Sequence, residues 1–273
     1  FKISKIILEG PESDLKLTQN TQPSILLVSH SIFTVLKNEF NFSFNQVKYF
    51  AGHSLGEYSA LLSANSLSFQ DSLRLLFERG KSMQEAVPVG KGGMLAILGT
   101  EIEDINNFIL QIKSKGVCEI ANDNAKGQII VSGNIESIEE LKNILKQNKK
   151  KCISLPVSAP FHCSLMNSAS IKMEKIINAV DFKIPEFEIV SNVTASPLKK
   201  PEDIKKFLVQ QIYSKVRWRE SIFFMKENKI TDFIEIGPGK VLTSLTKRIL
   251  PDSNCFSINS LDDIKSLVNE SQK

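Results

Sequence analysis

The chain has 273 residues, 42% of them hydrophobic, and Lys+Arg 34 against Asp+Glu 30 gives a net charge of +4. That is enough for one large α/β core with a satellite, and it excludes disorder, collagen and coiled coil. The mild charge excludes a dedicated nucleic-acid binder but allows a local basic patch facing an acidic partner, and no apolar run reaches the roughly 18 residues of a membrane span.

Residues 24–35 form an apolar helical stretch interrupted by Ser29, His30, Ser31 and Thr34, in which His30 is expected to sit in the core or at its boundary. Residues 45–51 (NQVKYFA) lead into GHSLGE and then Tyr58, Leu61 and Leu62 at helical spacing, which predicts strand, tight turn, helix. Ser68 and Asp71 have capping-box spacing before Leu73, Leu76, Phe77, Gly80 and Met83, which predicts a second helix of about five turns. Residues 87–93 (VPVGKGG) are linker-like. After them MLAILG, a helix over 102–116, CEIAN, QIIVSG, a Lys-rich helix over 135–150 and CISLPV alternate as β-α-β-β-α-β. That order predicts an inserted ferredoxin-like small domain over 89–157. Residues 1–88 and 158–273 then form a discontinuous main domain, with a helix over 165–179, the strand FEIVSNV, a helix near 207–213, the strand DFIEIG and a turn at Gly237-Pro238-Gly239. Helices alternating with apolar strands predict a largely parallel main sheet. The lysines at 149–151 are expected to end a helix in water, compensating its dipole.

Gly52-His53-Ser54-Leu55-Gly56 matches G-x-S-x-G, whose flanking glycines permit a sharp turn that exposes the Ser54 hydroxyl. The Leu55 N–H would then point at an oxyanion formed there. Of three histidines, His162 in SAPFH is the best base, being carried on a loop after a strand, whereas the His53 side chain should diverge from Ser54. An α/β-hydrolase triad places its His late, and 111 residues follow His162 without another; a patatin-like dyad needs an Asp-Gly pair, and none occurs. Arg79 is one of only five arginines against 29 lysines and projects from the apolar side of its helix, with Leu75, Leu76, Ser82 and Met83 as its i±3 and i±4 neighbours. Its partner is either a tertiary carboxylate or a bound anion, for which the planar guanidinium suits a carboxylate. The four cysteines lack Cys-x-x-Cys spacing, so neither a zinc site nor a disulfide framework is expected, and a reducing compartment is.

GHSLGEYSAL, ERGKSMQEAVP, the NDN at 122–124, SAPFH and EIGPGKVLTSLTKRI, in this order, resemble the malonyl-CoA:acyl-carrier-protein transacylase family over nearly the whole chain. The resemblance implies an α/β-hydrolase-like main domain and ping-pong transfer of a malonyl group from malonyl-CoA to the phosphopantetheine thiol of holo acyl carrier protein, for fatty-acid synthesis. It implies Ser54 as nucleophile, His162 as base and acid, the Leu55 amide as an oxyanion donor, and the Gln211 backbone carbonyl as the group that orients His162. It further implies Arg79 on the malonyl carboxylate, and a substrate-binding set completed by Met83, Asn122, Asn124, Phe161 and His53. Phe161 resembles the bulky residue that disfavours an α-methyl branch. No metal or other cofactor is implied, and the partners are malonyl-CoA and an acidic carrier protein at a basic patch, with neither nucleic acid nor membrane. A monomer is expected, cytoplasmic in a bacterial setting, or in an organelle if a presequence has been removed. The family's Phe-Pro-Gly-Gln-Gly-x-Gln loop, which supplies a second oxyanion donor, does not precede Phe1, so a further amino-terminal segment is expected. The alternatives are a serine thioesterase or other hydrolase, the equivalent transacylase of a polyketide pathway, and a non-catalytic carrier-binding module.

Overall fold

The computed structural model describes residues 2–271. Three helices come first, α1 (Ile3–Glu9), α2 (Glu12–Leu15) and α3 (Thr18–Asn38). On α3, Gln22, Leu26, Ser29, Phe33 and Leu36 are buried at three- and four-residue spacing, so one stripe of the helix faces the core. The predicted strand, turn and helix follow as β1 (Tyr49–Ala51) and α4 (Gly56–Ser63), and the strand is shorter than residues 45–51. Then comes α5 (Phe69–Ala86), whose cap is formed as expected: Ser68 Oγ accepts the Asp71 amide at 3.0 Å. Gly80 lets α5 lie directly on α3, because a Cβ there would stand 2.5 Å from the Gln19 Cα and 2.6 Å from the Thr18 carbonyl oxygen. This close approach sets Arg79 of α5 beside Gln22 of α3.

Next are β2 (Gly92–Leu98), α6 (Ile102–Ile109), β3 (Cys118–Ala125), β4 (Gln128–Asn134), α7 (Ile135–Gln147) and β5 (Lys151–Ser154). The strands form one antiparallel sheet in the order β3-β4-β2-β5. Strand alternation puts Leu95, Ile97, Ile129 and Val131 under α6 and α7 with Ile105, Ile138, Leu141 and Leu145. The opposite face carries Met94, Ala96, Ala121 and Ile130 against Phe161, beside His162. Two helices end earlier than expected. α6 stops at Ile109 because the Glu140 carboxylate takes the amides of Lys113 and Ser114 at 2.8 and 3.0 Å. α7 stops at Gln147 because Lys149 adopts a left-handed φ of 55°, and Lys149 and Lys151 are exposed.

A 3₁₀ turn (Ser164–Met166) leads to α8 (Asn167–Asn178), β6 (Glu188–Val190), β7 (Pro197–Leu198) and α9 (Pro201–Gln211). Then follow α10 (Trp218–Glu227), β8 (Asp232–Ile236), α11 (Val241–Ile249), β9 (Asn254–Ile258) and α12 (Leu261–Ser271). The main strands, expected in one largely parallel sheet, do pair largely in parallel but not in a single sheet. β1 pairs in parallel with β6, and β8 in parallel with β9, but among the described residues these are separate sheets. β7 returns antiparallel to β6 because the tight turn between them, closed by the Ala195 amide on the Ser191 carbonyl, leaves no room for a crossover. The sequence reading had no counterpart for α1, α2, β7, α10, β9 or α12. Nor does the sequence pattern predict α11.

The four-stranded sheet is tied to the rest of the chain at β3. Val216 and β3 exchange backbone hydrogen bonds at 2.8 and 2.9 Å, and buried Asp123 receives Arg219 Nε and Nη2, each at 2.9 Å. Arg219 keeps partial solvent access, so Asp123→Ala leaves no fully buried charge. The expected cost is about 2 kcal/mol, that of a charged hydrogen-bonded pair, read as a shift of the urea midpoint. A shift under about 0.5 kcal/mol would mean that the backbone bonds alone hold the sheet.

Candidate active site

The Gly52–Gly56 turn follows β1. A Cβ on Gly52 would lie 2.0 Å from the Gly56 carbonyl, so only glycine permits α4 to start so close to the strand. Ser54 itself has a φ of 53°, unfavourable for a residue with a side chain. Asn192, at the carboxyl end of β6, holds it there: its Oδ1 accepts the Ser54 amide at 2.7 Å while its Nδ2 donates to the Gly52 carbonyl at 2.8 Å. The Leu55 amide stands at the amino end of α4, where a helix has no carbonyl of its own for it, while the Gly56, Glu57 and Tyr58 amides donate to the His53, Ser54 and Leu55 carbonyls.

Ser54 Oγ lies 2.8 Å from His162 Nε2, and His162 Nδ1 lies 2.9 Å from the Gln211 backbone carbonyl. A carbonyl can only accept, so Nδ1 carries the proton and Nε2 offers its lone pair to the hydroxyl. His162 is buried at a φ of 59°, and burial, with the Arg79 charge second, pushes its pKa down to about 3. The imidazole is therefore neutral at physiological pH.

Arg79 is 1% exposed, and its burial lowers its pKa. No Asp or Glu among the described residues forms an ion pair with it. Of the two partners the sequence left open, the tertiary carboxylate is thus excluded as a direct contact. Instead Nη1 donates to Gln22 Oε1 at 2.6 Å, and Nη2 to Gln211 Oε1 at 2.8 Å and to Ser54 Oγ at 3.1 Å. The guanidinium carbon lies 5.7 Å from the Tyr58 ring centroid, a cation–π distance. Met83, one turn along α5, is buried with its sulfur 3.9 Å from Gln22 Nε2.

Glu57 is the nearest buried acid. It accepts Gln211 Nε2 at 2.6 Å and the Asn192 amide at 3.3 Å, and desolvation, only partly offset by these bonds, pushes its pKa up to about 7. The folded protein thus keeps the Glu57 proton to about pH 7, whereas the unfolded chain releases it near 4.5, so stability falls as pH rises through that window. His162 acts oppositely, its contribution being lost as pH falls from 6.5 toward 3. Glu57→Gln removes only the first dependence. Between about pH 4.5 and 7 the wild-type melting temperature is expected to fall relative to that of E57Q, and a constant difference between the two curves would contradict the assignment.

The other anticipated residues are placed nearby but do not bond to Ser54 or His162. His53 turns away from Ser54, its Nε2 2.8 Å from Asn124 Oδ1 on β3 and its ring 5.7 Å from the Trp218 ring. Asn122 is buried on β3 and bridges to Val216, and Phe161 packs between the main core and the inner face of the inserted sheet. The sequence reading missed Gln22, Glu57, Asn192 and the side chain of Gln211. Two signals were present: Gln22 shares the buried stripe of Leu26, and Asn192 lies two residues past the end of β6, where α/β folds bind their ligands. Among the described residues no group of three or more His, Cys, Asp or Glu could hold a metal ion.

A serine hydroxyl held against a neutral, carbonyl-oriented histidine, beside the Leu55 amide at a helix start, defines a nucleophilic acyl-transfer site. The model of the family described as acyl transferase domain matches residues 1–265. Among curated relatives, the malonyl CoA-acyl carrier protein transacylase of Bacillus subtilis is 41% identical over 250 residues, covering 91% of this chain and 78% of the relative. That of Haemophilus influenzae is 37% identical over 257 residues, covering 94% and 82%. Among solved structures, acyl-carrier-protein-S-malonyltransferase from Bartonella henselae superposes with a TM-score of 0.95 at 39% identity, covering 100% of this chain and 87% of that one. A type II PKS acyl-carrier protein in complex with its malonyl-transacylase gives a TM-score of 0.95 at 35% identity, covering 99% and 87%. The chain belongs to the acyl transferase domain family, and the protein is an acyltransferase.

Proposed function

We propose that the protein moves a malonyl group from malonyl-CoA to the phosphopantetheine thiol of holo acyl carrier protein, through an ester on Ser54, to supply fatty-acid synthesis. One observation carries this reading: a single hydroxyl, Ser54 Oγ, meets both His162 Nε2 at 2.8 Å and Arg79 Nη2 at 3.1 Å. In a malonyl thioester one methylene separates the carboxylate from the reacting carbonyl. A cation that selects this group must therefore stand next to the nucleophile, and a longer diacid would need it further away.

His162 Nε2 takes the Ser54 proton as Oγ attacks the thioester carbonyl. The Leu55 amide holds the oxyanion. Collapse of the tetrahedral intermediate breaks the C–S bond, and the imidazolium returns its proton to the departing CoA thiolate. The Gln211 carbonyl keeps Nδ1–H in place and stabilises the imidazolium. The carrier thiol then reverses the sequence. A carboxylate on Arg79 offsets part of the charge that lowers the His162 pKa, so the base strengthens when the correct acyl group is bound. These steps need neither metal nor redox cofactor.

Met83, Asn122, Asn124, His53 and Phe161 complete the substrate cleft in this reading. Residues 1–88 and 158–273 make an α/β-hydrolase-like catalytic domain, and residues 89–157 a ferredoxin-like insert, a division supported by the β3-β4-β2-β5 order. The +4 charge favours docking of an acidic carrier on a basic patch of a cytoplasmic monomer. Among the described residues no helix is long and apolar enough to cross a membrane.

Intact mass after mixing with malonyl-CoA, and again after adding holo carrier protein, tests the proposal. A malonyl adduct on Ser54 that passes to the carrier is expected. Loss of the adduct to water before the carrier is added would instead identify a thioesterase.

A further inference from the structure

A buried cation is ordinarily matched by a carboxylate, because an unpaired charge out of water is costly. Arg79 breaks this rule in a particular way: both side chains that grip its terminal nitrogens besides Ser54 are neutral amides, Gln22 from α3 and Gln211 from α9. Each amide is itself fixed so that its oxygen, not its nitrogen, faces the guanidinium. Gln22 Nε2 donates to Thr18 Oγ1 at 2.9 Å. Gln211 Nε2 donates to the Ser54 carbonyl at 3.0 Å and to Glu57 Oε2 at 2.6 Å, so an amide stands between the buried acid and the cation. Arg79 Nε, also buried, has no acceptor.

We infer that Gln22 and Gln211 form a neutral clamp that positions Arg79 without neutralising it, and that this makes them specificity-determining positioning residues for a carboxylate-bearing acyl group. Amide oxygens orient the fork but leave its net charge in place for the substrate. A carboxylate at either position would form the bidentate pair that guanidinium prefers, and would compete with the acyl carboxylate for the same nitrogens. A neutral acyl group would then be disfavoured far less. The inference rests on the reading of Arg79 as the carboxylate anchor.

Gln22→Glu tests it in the intact protein with malonyl-CoA and acetyl-CoA as probes. The substitution keeps the shape, adds one negative charge, and pairs a buried cation, so the fold is retained, which a melting curve checks. The expected result is a fall in kcat/KM for malonyl-CoA on the order of 10²-fold, carried mostly by KM, with a much smaller change for acetyl-CoA. Gln22→Met, which removes the acceptor without adding charge, should lower the malonyl value about tenfold. A malonyl-to-acetyl ratio within about threefold of wild type in Q22E, or equal losses for both acyl groups, would overturn the clamp. If Q22E failed to fold, equal losses in Q22M would overturn it. Arg79→Ala separates the two levels. A ratio unchanged in R79A sinks the anchor reading itself, whereas a ratio that collapses in R79A and survives in Q22E sinks only the clamp.

Discussion

Replacing Ser54 with alanine is expected to abolish the proposed malonyl adduct and to lower transfer to the carrier by about 10⁴-fold or more, the scale set when an enzyme loses its nucleophile. The geometry makes this a clean substitution. Ser54 Oγ is the only atom removed, and the turn that displays it is held by the Asn192 side chain on the Ser54 amide and the Gly52 carbonyl, which alanine leaves intact. His162 keeps its bond to the Gln211 carbonyl. The melting temperature should therefore stay close to that of the wild type while the chemistry is lost. An S54A protein that still acquires a malonyl group at a comparable rate would place the nucleophile elsewhere.

Arg79→Ala should lower kcat/KM for malonyl-CoA by about 10²- to 10³-fold and for acetyl-CoA by much less, because a charge-assisted pair is lost only with the substrate that carries a carboxylate. Two further consequences follow from the burial of the guanidinium. The Gln22 and Gln211 amide oxygens lose their donor, so some stability is lost as well, and the ratio of the two substrates, not the absolute rate, is the diagnostic quantity. The His162 pKa also loses the depression contributed by the Arg79 charge, leaving burial as the main cause that holds it low. Equal losses for malonyl and acetyl transfer would refute the carboxylate role.

Local chemistry made part of this site legible before any folding was known. Gly52 announces the turn because the steric conflict it relieves, against the Gly56 backbone, lies within five residues. The Ser68 cap on α5 spans three residues. The alternation that builds β2 and β4 has a period of two. Arg79 could be placed on an apolar helix face, but the face does not say what meets it. The early end of α6 could not be read either, since the Glu140 carboxylate that takes the Lys113 amide is 27 positions away.

The sequence by itself determined the turn that displays Ser54, the choice of His162 among three histidines, the odd arginine and the β-α-β-β-α-β order, all of which depend on neighbours a few bonds apart or on residue scarcity. Only the tertiary structure decided how the main strands pair and what holds Arg79. Gln22 and Arg79 are 57 positions apart, Ser54 and His162 are 108, and Glu57 and Gln211 are 154. Contacts over such separations depend on helix packing such as that of α5 on α3 at Gly80, and an amide on a helix does not show in the sequence whether its oxygen meets solvent or a buried cation.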